Sequence, residues 1–230
     1  MKKNLFIIAV LLLVAGTLQA DTVTYSNSVT MNNDQDAVIS LNKFDASLGT
    51  LTAVYVRYVT SIAGANIQMD NDSVLAQNGT ARVQNLVNSF SSSINLYGQI
   101  SGLDLQINAN QLFALEPTSG DTVGQFNVTG NSDYASWSPG TLQGIGSANV
   151  YAFAIGLYAG SGTYDVTVNS TYMTSATFNG SDGYFMGNTP SGAFSGTVTY
   201  TYSPIPEPAT APLMALVALV GFWIRRRFMA

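Results

Sequence analysis

The side chains that could carry chemistry in this chain are few, and nearly all of them are oxygen donors. Its 230 residues include thirteen Asp and Glu and eight Lys and Arg, but no His and no Cys. Without His a Ser-His-Asp triad cannot form, and without His and Cys the usual ligands of zinc, haem and iron–sulfur centres are missing. A glycosidase that works with two carboxylates needs only Asp or Glu, so that class of enzyme stays open. Glu116, which precedes Pro117, is typical of a loop residue rather than of a general acid.

Two short segments could offer oxygen ligands to calcium. In the first, three polar side chains alternate as they do at the start of an EF-hand loop: Asn32, Asp34 and Asp36. The Gly and the Glu that such a loop needs further on are replaced by Ala37 and Lys43. The second segment, residues 70–73, is incomplete in the same way. We therefore predict polar turns and no cofactor, and a looser calcium site stays open as an alternative.

One aromatic pair could contact sugars. Tyr134 and Trp137 lie in SDYASWSPG, residues 132–140, whose Gly, Pro and Ser predict a loop. Exposed rings of this kind can stack on a sugar ring, whereas a buried Trp137 would only anchor the loop, which is the commoner use of a large aromatic side chain. We predict the pair as a candidate sugar contact and keep the structural alternative open.

Five Asn-x-Ser/Thr sequons reflect a surface rich in Asn, Ser and Thr. They predict that the loops carrying them lie outside the core. Their asparagines are Asn71, Asn78, Asn127, Asn169 and Asn179.

The middle of the chain is patterned as β-strands. Residues 163–168 and 194–202 alternate apolar and polar side chains, which predicts half-buried strands. Residues 50–60 and 151–158 are apolar on both faces and predict central strands. Only residues 80–90 are compatible with a short helix. We predict an all-β fold, an antiparallel β-sandwich or jelly-roll-like domain over residues 21–203.

The first twenty residues have the pattern of a secretory signal peptide. Lys2 and Lys3 precede an apolar run from Leu5 to Val14, and Ala20 provides the small residue that a cleavage site needs. The run is shorter than the about 20 residues of a membrane span. We therefore expect cleavage after Ala20 and export of the rest.

The last segment, residues 204–230, combines three features in a fixed order. Pro206, Glu207 and Pro208 come first, a hydrophobic stretch predicted as a transmembrane helix covers about residues 209–224, and a basic tail follows: Arg225, Arg226 and Arg227. The positive-inside rule keeps this tail in the cytoplasm, as it does the two N-terminal lysines, so the domain between them lies outside.

This arrangement resembles the PEP-CTERM sorting signal of Gram-negative bacteria. The resemblance implies that an exosortase-type transpeptidase in the inner membrane recognises the signal and cuts the chain near the Pro-Glu-Pro motif. The C-terminal helix would then anchor the protein only transiently, before delivery to the cell surface or to the extracellular matrix.

The ectodomain also resembles a known family. LNKFDASLGTLTAVYVRYV, residues 41–59, IGLYAGSGTYDVTVNSTY, residues 155–172, and SGTVTYTY, residues 195–202, are similar to segments of the choice-of-anchor E domain. That resemblance assigns no enzymatic activity. Independently of it, Gly49 predicts a tight turn and Leu51 the start of a buried strand.

The charge balance narrows the partners of the exported part. Between residues 21 and 208, three basic residues stand against thirteen acidic ones, a net charge of −10. Such a surface repels nucleic acid and anionic lipid. We expect a non-catalytic cell-surface or exopolysaccharide-matrix protein, with extracellular polysaccharide as a partner. A carbohydrate-binding module or a carboxylate-based glycoside hydrolase is the alternative.

The paired end signals predict the mass of the exported protein. The mature chain should begin near Asp21 and should lack at least Phe222 to Ala230, because both ends are removed during export. Intact-mass and peptide mass spectrometry of the surface-released protein measures both events. C-terminal peptides that end at Ala230 in the extracellular form would contradict this prediction.

Overall fold

The computed structural model describes residues 20–94, 105–118, 132–180 and 182–205. In this part of the chain the elements are eleven strands and one short 3-10 helix between β8 and β9. Their bounds are β1 (Asp21–Met31), β2 (Gln35–Asn42), β3 (Gly49–Ala63), β4 (Ile67–Asn71), β5 (Gln77–Ser92), β6 (Ile107–Leu115), β7 (Tyr134–Trp137), β8 (Leu142–Asn149), the 3-10 helix (Ile155–Tyr158), β9 (Thr163–Phe178), β10 (Gly183–Gly187) and β11 (Ser191–Pro204).

The strands form three antiparallel sheets. The front sheet has the order β1-β11-β3-β8, and the back sheet has the order β2-β9-β5-β6. A smaller side sheet has the order β10-β4-β7. The front and back sheets pack face to face, so the prediction of an all-β antiparallel sandwich is confirmed. Strand β3 pairs with β11 and with β8, as expected for a central strand.

The alternation in the sequence is the reason these segments form half-buried strands. In β11, Phe194, Val198 and Tyr200 are buried, while the Ser and Thr residues between them are partly exposed. In β9, Tyr164 and Val166 are buried in the same alternating way. Because successive side chains of a strand point to opposite faces, each of the two sheets turns one apolar face inward and one polar face outward.

Aromatic rings join the two sheets. Tyr58 of the front sheet lies 5.2 Å, between ring centroids, from Phe90 of the back sheet, and Phe90 lies 6.2 Å from Phe194. Phe44, in the connection after β2, lies 5.7 Å from Tyr200 and 5.2 Å from Tyr202. Burying one such side chain stabilises the fold by roughly 1.5–3 kcal/mol. These rings therefore carry much of the stability of a domain that has no disulfide.

At two segments the structure differs from what the local sequence pattern allows or predicts. Residues 80–90 lie in β5 and not in a helix, because β5 pairs on one side with β6 and on the other with β9. Residues 151–158 are not a strand. The backbone N–H of Ala154 donates to the carbonyl oxygen of Tyr151 at 2.9 Å, which closes a turn, and the 3-10 helix follows it. Pairing with two neighbouring strands decides the first case, whereas a local turn ends β8 in the second.

The last strand runs up to the predicted sorting segment. Pro204 pairs with Gly49, and the N–H of Ile205 donates to the carbonyl oxygen of Leu48 at 3.3 Å. A Cβ at Gly49 would collide with the carbonyl oxygen of Ser203, and its φ of 155° also favours glycine. Gly49 is therefore needed for the close approach of β11, whereas the sequence suggested a tight turn; Leu51 is only partly buried.

Several tyrosine hydroxyl groups are enclosed between the sheets. Burial raises the pKa of Tyr58 to about 12, and desolvation by burial also raises the pKa values of Tyr158, Tyr164 and Tyr200. The hydroxyl of Tyr200 donates to the carbonyl oxygen of Asn42 at 2.8 Å. In the unfolded chain a tyrosine ionises near pH 10. Above that pH the unfolded state therefore binds fewer protons than the folded state, and the free energy of unfolding falls as pH rises.

We predict cooperative unfolding in alkali that starts above pH about 10 and steepens toward pH about 12. The Tyr58→Phe variant removes one buried ionisable group, so its free energy of unfolding should fall less steeply with pH, by up to about 1.4 kcal/mol per pH unit. Urea titrations followed by circular dichroism at several alkaline pH values measure this slope. The exposed Tyr184→Phe variant is the control; equal slopes for all three proteins would refute the prediction.

Candidate functional site

The predicted sugar contacts lie in a strand and not in a loop. Tyr134 and Trp137 are the two ends of β7, which pairs with β4 so that Trp137 lies opposite Ile67 and Tyr134 opposite Asp70. Both partners on β4 are buried. Trp137 is partly buried and packs against the hydrophobic core, and Tyr134 is partly buried as well. The pair therefore fits the alternative in which Trp137 anchors the local structure. Only a limited part of each ring is available to a ligand.

Next to this strand, one asparagine side chain organises the loops. The Nδ2 of Asn71 donates to the carbonyl oxygen of Leu75 at 3.0 Å and to that of Glu116 at 2.7 Å. Its Oδ1 accepts a hydrogen bond from the N–H of Ser73 at 3.0 Å. Asn71 is completely buried, so the prediction that its sequon lies in a surface loop is wrong. The side chain replaces backbone partners that the irregular loops cannot supply to one another.

Backbone hydrogen bonds bring further segments to the same place. The N–H of Asn71 donates to the carbonyl oxygen of Asp133 at 3.0 Å, and the N–H of Asp72 donates to that of Asp182 at 2.9 Å. The side chains of Asp70, Asp72 and Asp133 are buried. Among the described residues, no group of three or more acidic side chains is placed to hold a metal ion. The backbone hydrogen bonds that join these segments make the loop cluster a structural junction.

The other calcium candidate is the turn between β1 and β2. Asp34 has a φ of 57°, and its N–H donates to the carbonyl oxygen of Ser170 in β9 at 2.9 Å. The Oδ1 of Asp36 accepts a hydrogen bond from the Nδ2 of Asn169 at 3.0 Å. The Nδ2 of Asn32 donates to the Oε1 of Gln35 at 3.1 Å. These polar groups fasten the turn to the back sheet, which agrees with the predicted polar turn.

An exposed aromatic strip lies on the outer face of the front sheet, at its β8 edge. Tyr55 of β3 pairs with Asn149, and the N–H of Val150 continues this register by donating to the carbonyl oxygen of Val54 at 2.8 Å. Tyr151 follows Val150 directly, two residues after Asn149, the residue that pairs with Tyr55.

The strip is completed by Phe153, whose ring stacks on that of Tyr151 with centroids 5.7 Å apart and an interplanar angle of 11°. The side chains of Tyr55, Tyr151 and Phe153 are 39%, 55% and 74% exposed. We call these three residues the aromatic strip. The sequence does not predict this strip, because the apolar run at residues 151–158 favours a buried strand; the alternation of Tyr151 and Phe153 with two alanines is the usable signal.

Hydroxyl and amide groups surround Tyr55 on the same face. On the β11 side, Tyr55 pairs with Thr199, and the Oγ1 of Thr199 lies 3.0 Å from the Oγ1 of Thr24 in β1. On the β8 side the neighbour is the exposed Asn149. Such a surface, an aromatic ring between groups that donate and accept hydrogen bonds, can contact both the C–H face and the hydroxyl groups of a sugar.

The remaining predicted site residues lie outside the described residues. These are the signal peptide up to residue 19, the Pro206-Glu207-Pro208 motif and the arginines at 225–227. Over the part of the chain that the structure does describe, no helix reaches the length and apolar character of a membrane span.

Comparison with known proteins identifies no family for this chain. No family model matches the chain, and no curated protein matches it. Solved structures of desmodium yellow mottle tymovirus and of turnip yellow mosaic virus at 100 K are similar at 9% and 10% identity. Each covers 84% of this chain, which spans 93% and 99% of theirs, with TM-scores of 0.19 and 0.17. Likeness at these TM-scores carries no argument about fold or function.

We predict that Asn71→Ala destabilises the domain by about 2–4 kcal/mol, because three backbone groups lose their hydrogen bonds to the buried Asn71 side chain. For a domain of this size the melting temperature should drop by about 4–16 °C. Thermal denaturation followed by circular dichroism measures the effect, and Asn108→Ala, at an exposed position of β6, is the matched control. Equal melting temperatures for the two variants would show that Asn71 does not hold the loops together.

Proposed function

We propose that this chain is a non-catalytic protein of the bacterial cell surface or exopolysaccharide matrix, exported by its signal peptide and released by an exosortase-type system. In this proposal the sandwich is jelly-roll-like, the helix at about residues 209–224 anchors it to the inner membrane before processing, and Pro206, Glu207 and Pro208 mark the sorting motif. The observation that carries the proposal is the position of this motif immediately after the end of β11.

The geometry supports separate roles for the tail, which would direct sorting, and for the sandwich, which would be delivered. The chain stays hydrogen-bonded to the front sheet as far as Ile205, so cleavage that leaves the sandwich intact has to occur after that residue. The predicted motif begins with the next residue, where a transpeptidase would find it beside the domain it releases. The tail then acts as an address, and the sandwich is the part that is delivered.

A non-catalytic role agrees with the placement of the acidic groups. A glycosidase of the two-carboxylate kind needs carboxyl groups on both sides of the scissile bond, in a cleft that admits the sugar chain. The side chains of Asp70, Asp72 and Asp133 are buried at the loop junction and are not exposed to a sugar chain. The glycoside hydrolase stays the weaker alternative for this reason.

Polysaccharide contact can be made in two ways in this proposal. Neutral sugars can stack on exposed aromatic rings, or calcium can join the acidic domain to an acidic polymer. The two ways respond differently to a chelator, and only calcium bridging would be restored by added calcium and not by sodium chloride.

Sorting provides the direct test. In the source bacterium, the combined substitution Pro206→Ala, Glu207→Gln and Pro208→Ala should retain the protein in the inner-membrane fraction, because the transpeptidase no longer recognises the signal. Fractionation and immunoblotting measure the released fraction, and Thr210→Ala is the control outside the motif. Unchanged release of the triple variant, or release in a strain without the transpeptidase, would overturn the proposal.

A further inference from the structure

We propose that the aromatic strip, Tyr55, Tyr151 and Phe153, is a binding site for an uncharged polysaccharide. This inference rests on the proposed function, because it names the kind of polymer that the exported sandwich would meet. It moves the sugar contact from Tyr134 and Trp137, on the side sheet, to the outer face of the front sheet.

The first argument is exposure. Large aromatic side chains are buried for most of their area on average, so a group of exposed ones is informative. Tyr151 and Phe153 are more than half exposed, in a chain that buries many of its other large aromatic rings between the sheets. The two stacked rings keep most of their area at the surface, where they provide exposed aromatic surface at a fixed position.

The second argument is the polar rim. The front sheet offers the hydroxyl group of Thr199 on one side of Tyr55 and the amide of Asn149 on the other. Ligand sites combine aromatic surface with a small number of placed polar groups, which fix orientation. A pyranose ring has this mixed character, with C–H groups on its faces and hydroxyl groups around its edge.

The third argument is charge. The net charge of −10 between residues 21 and 208 repels an acidic polymer, and the basic groups of that part are only Lys43, Arg57 and Arg82. Long-range attraction therefore does not favour uronic acids or sulfated sugars. An uncharged polymer is not repelled by this charge, so the aromatic contact would be the main source of its affinity.

The fourth argument is area, which separates a glycan from a second copy of the chain. Fully buried aromatic side chains cover 150–250 Å² each, so the exposed parts of these three offer about 300–400 Å². A stable protein–protein interface buries about 1,200–2,000 Å² in total. The strip is too small for a dimer by itself, and it is large enough for one or two sugar rings.

The strip should bind weakly and depend on aromatic rings rather than on apolar volume. Removal of one stacking ring is worth about 0.5–1.5 kcal/mol, which corresponds to a two- to tenfold loss in association constant. The informative pair of variants is Tyr151→Phe, which keeps the ring, and Tyr151→Leu, which keeps an apolar side chain of similar bulk and removes the ring. Both substitutions are at an exposed position and leave the core unchanged.

The experiment is native affinity electrophoresis of the full chain in a zwitterionic detergent without sugar groups, in gels that contain hydroxyethylcellulose, dextran or alginate. We expect retardation by at least one of the two uncharged polymers and not by alginate. Retardation should persist in Tyr151→Phe, and should weaken about two- to tenfold in Tyr151→Leu and in Phe153→Ala. Leu112→Ala is the matched control, because Leu112 is 72% exposed on β6 of the back sheet.

Several outcomes would overturn the inference. Retention by neither uncharged polymer, or equal retention of Tyr151→Phe and Tyr151→Leu, would do so. Retention by alginate that a chelator abolishes would assign the contact to calcium instead. A dimer of the wild-type chain in analytical ultracentrifugation that Tyr151→Leu dissociates would assign the strip to a second copy. None of these results affects the sorting test, so a failure here is distinct from a failure of the proposed function.

Discussion

The packing of aromatic rings between the front and back sheets is the interaction on which the rest of this structure depends. The chain has no cysteine, and only three basic residues between residues 21 and 208, so disulfides are impossible and ion pairs are scarce. Stability has to come from apolar burial, and Tyr58, Phe90 and Phe194 meet across the middle of the sandwich. The tyrosines add a constraint of their own, because their hydroxyl groups must stay neutral while they are buried. The rings that join the sheets therefore also make the stability of the fold decrease at high pH.

This packing gives the inward and outward faces of every long strand different roles. Inward positions are mostly apolar, with glycine where a neighbouring side chain leaves no room, whereas outward positions carry Ser, Thr and Asn with little effect on the core. In β11 the two sets alternate through the whole strand, and Thr199 faces outward between the buried Val198 and Tyr200. An exposed Tyr55 on such a face is an exception to the rule, since the neighbouring Val54 and Val56 already fill the inner side. Exceptions of this kind, and not the average polarity of the face, point to a binding surface.

The sequence predicts a strand correctly where alternation of apolar and polar residues marks it. It does not predict a strand that is determined by pairing with neighbouring strands. The alternation in residues 163–168 and 194–202 correctly predicts half-buried strands, because burial on one face leaves a period of two in the sequence. Residues 80–90 have a pattern compatible with either period, and their pairing with both β6 and β9 makes them a strand. Trp137 was placed in a loop because Gly and Pro follow it, yet four residues are enough for an edge strand beside β4. The burial of Asn71 could not be predicted from its sequon, because its side chain also bonds to the carbonyl oxygen of Glu116, 45 residues away in the chain.

The error at residues 151–158 and the aromatic strip have the same cause. Strand β8 ends at Asn149, and one further hydrogen bond, from Val150 to Val54, keeps the chain in register before it turns. Strand β8 does not extend to Tyr151 and Phe153, which lie in the connection to the 3-10 helix. The turn that Ala154 closes onto Tyr151 brings the rings to 5.7 Å, nearly parallel, at the rim of the sheet. The 3-10 helix that follows returns the chain to the core through the buried Tyr158. The turn that ends the strand thus stacks two exposed aromatic rings, while the residues on either side of it remain anchored in the sandwich.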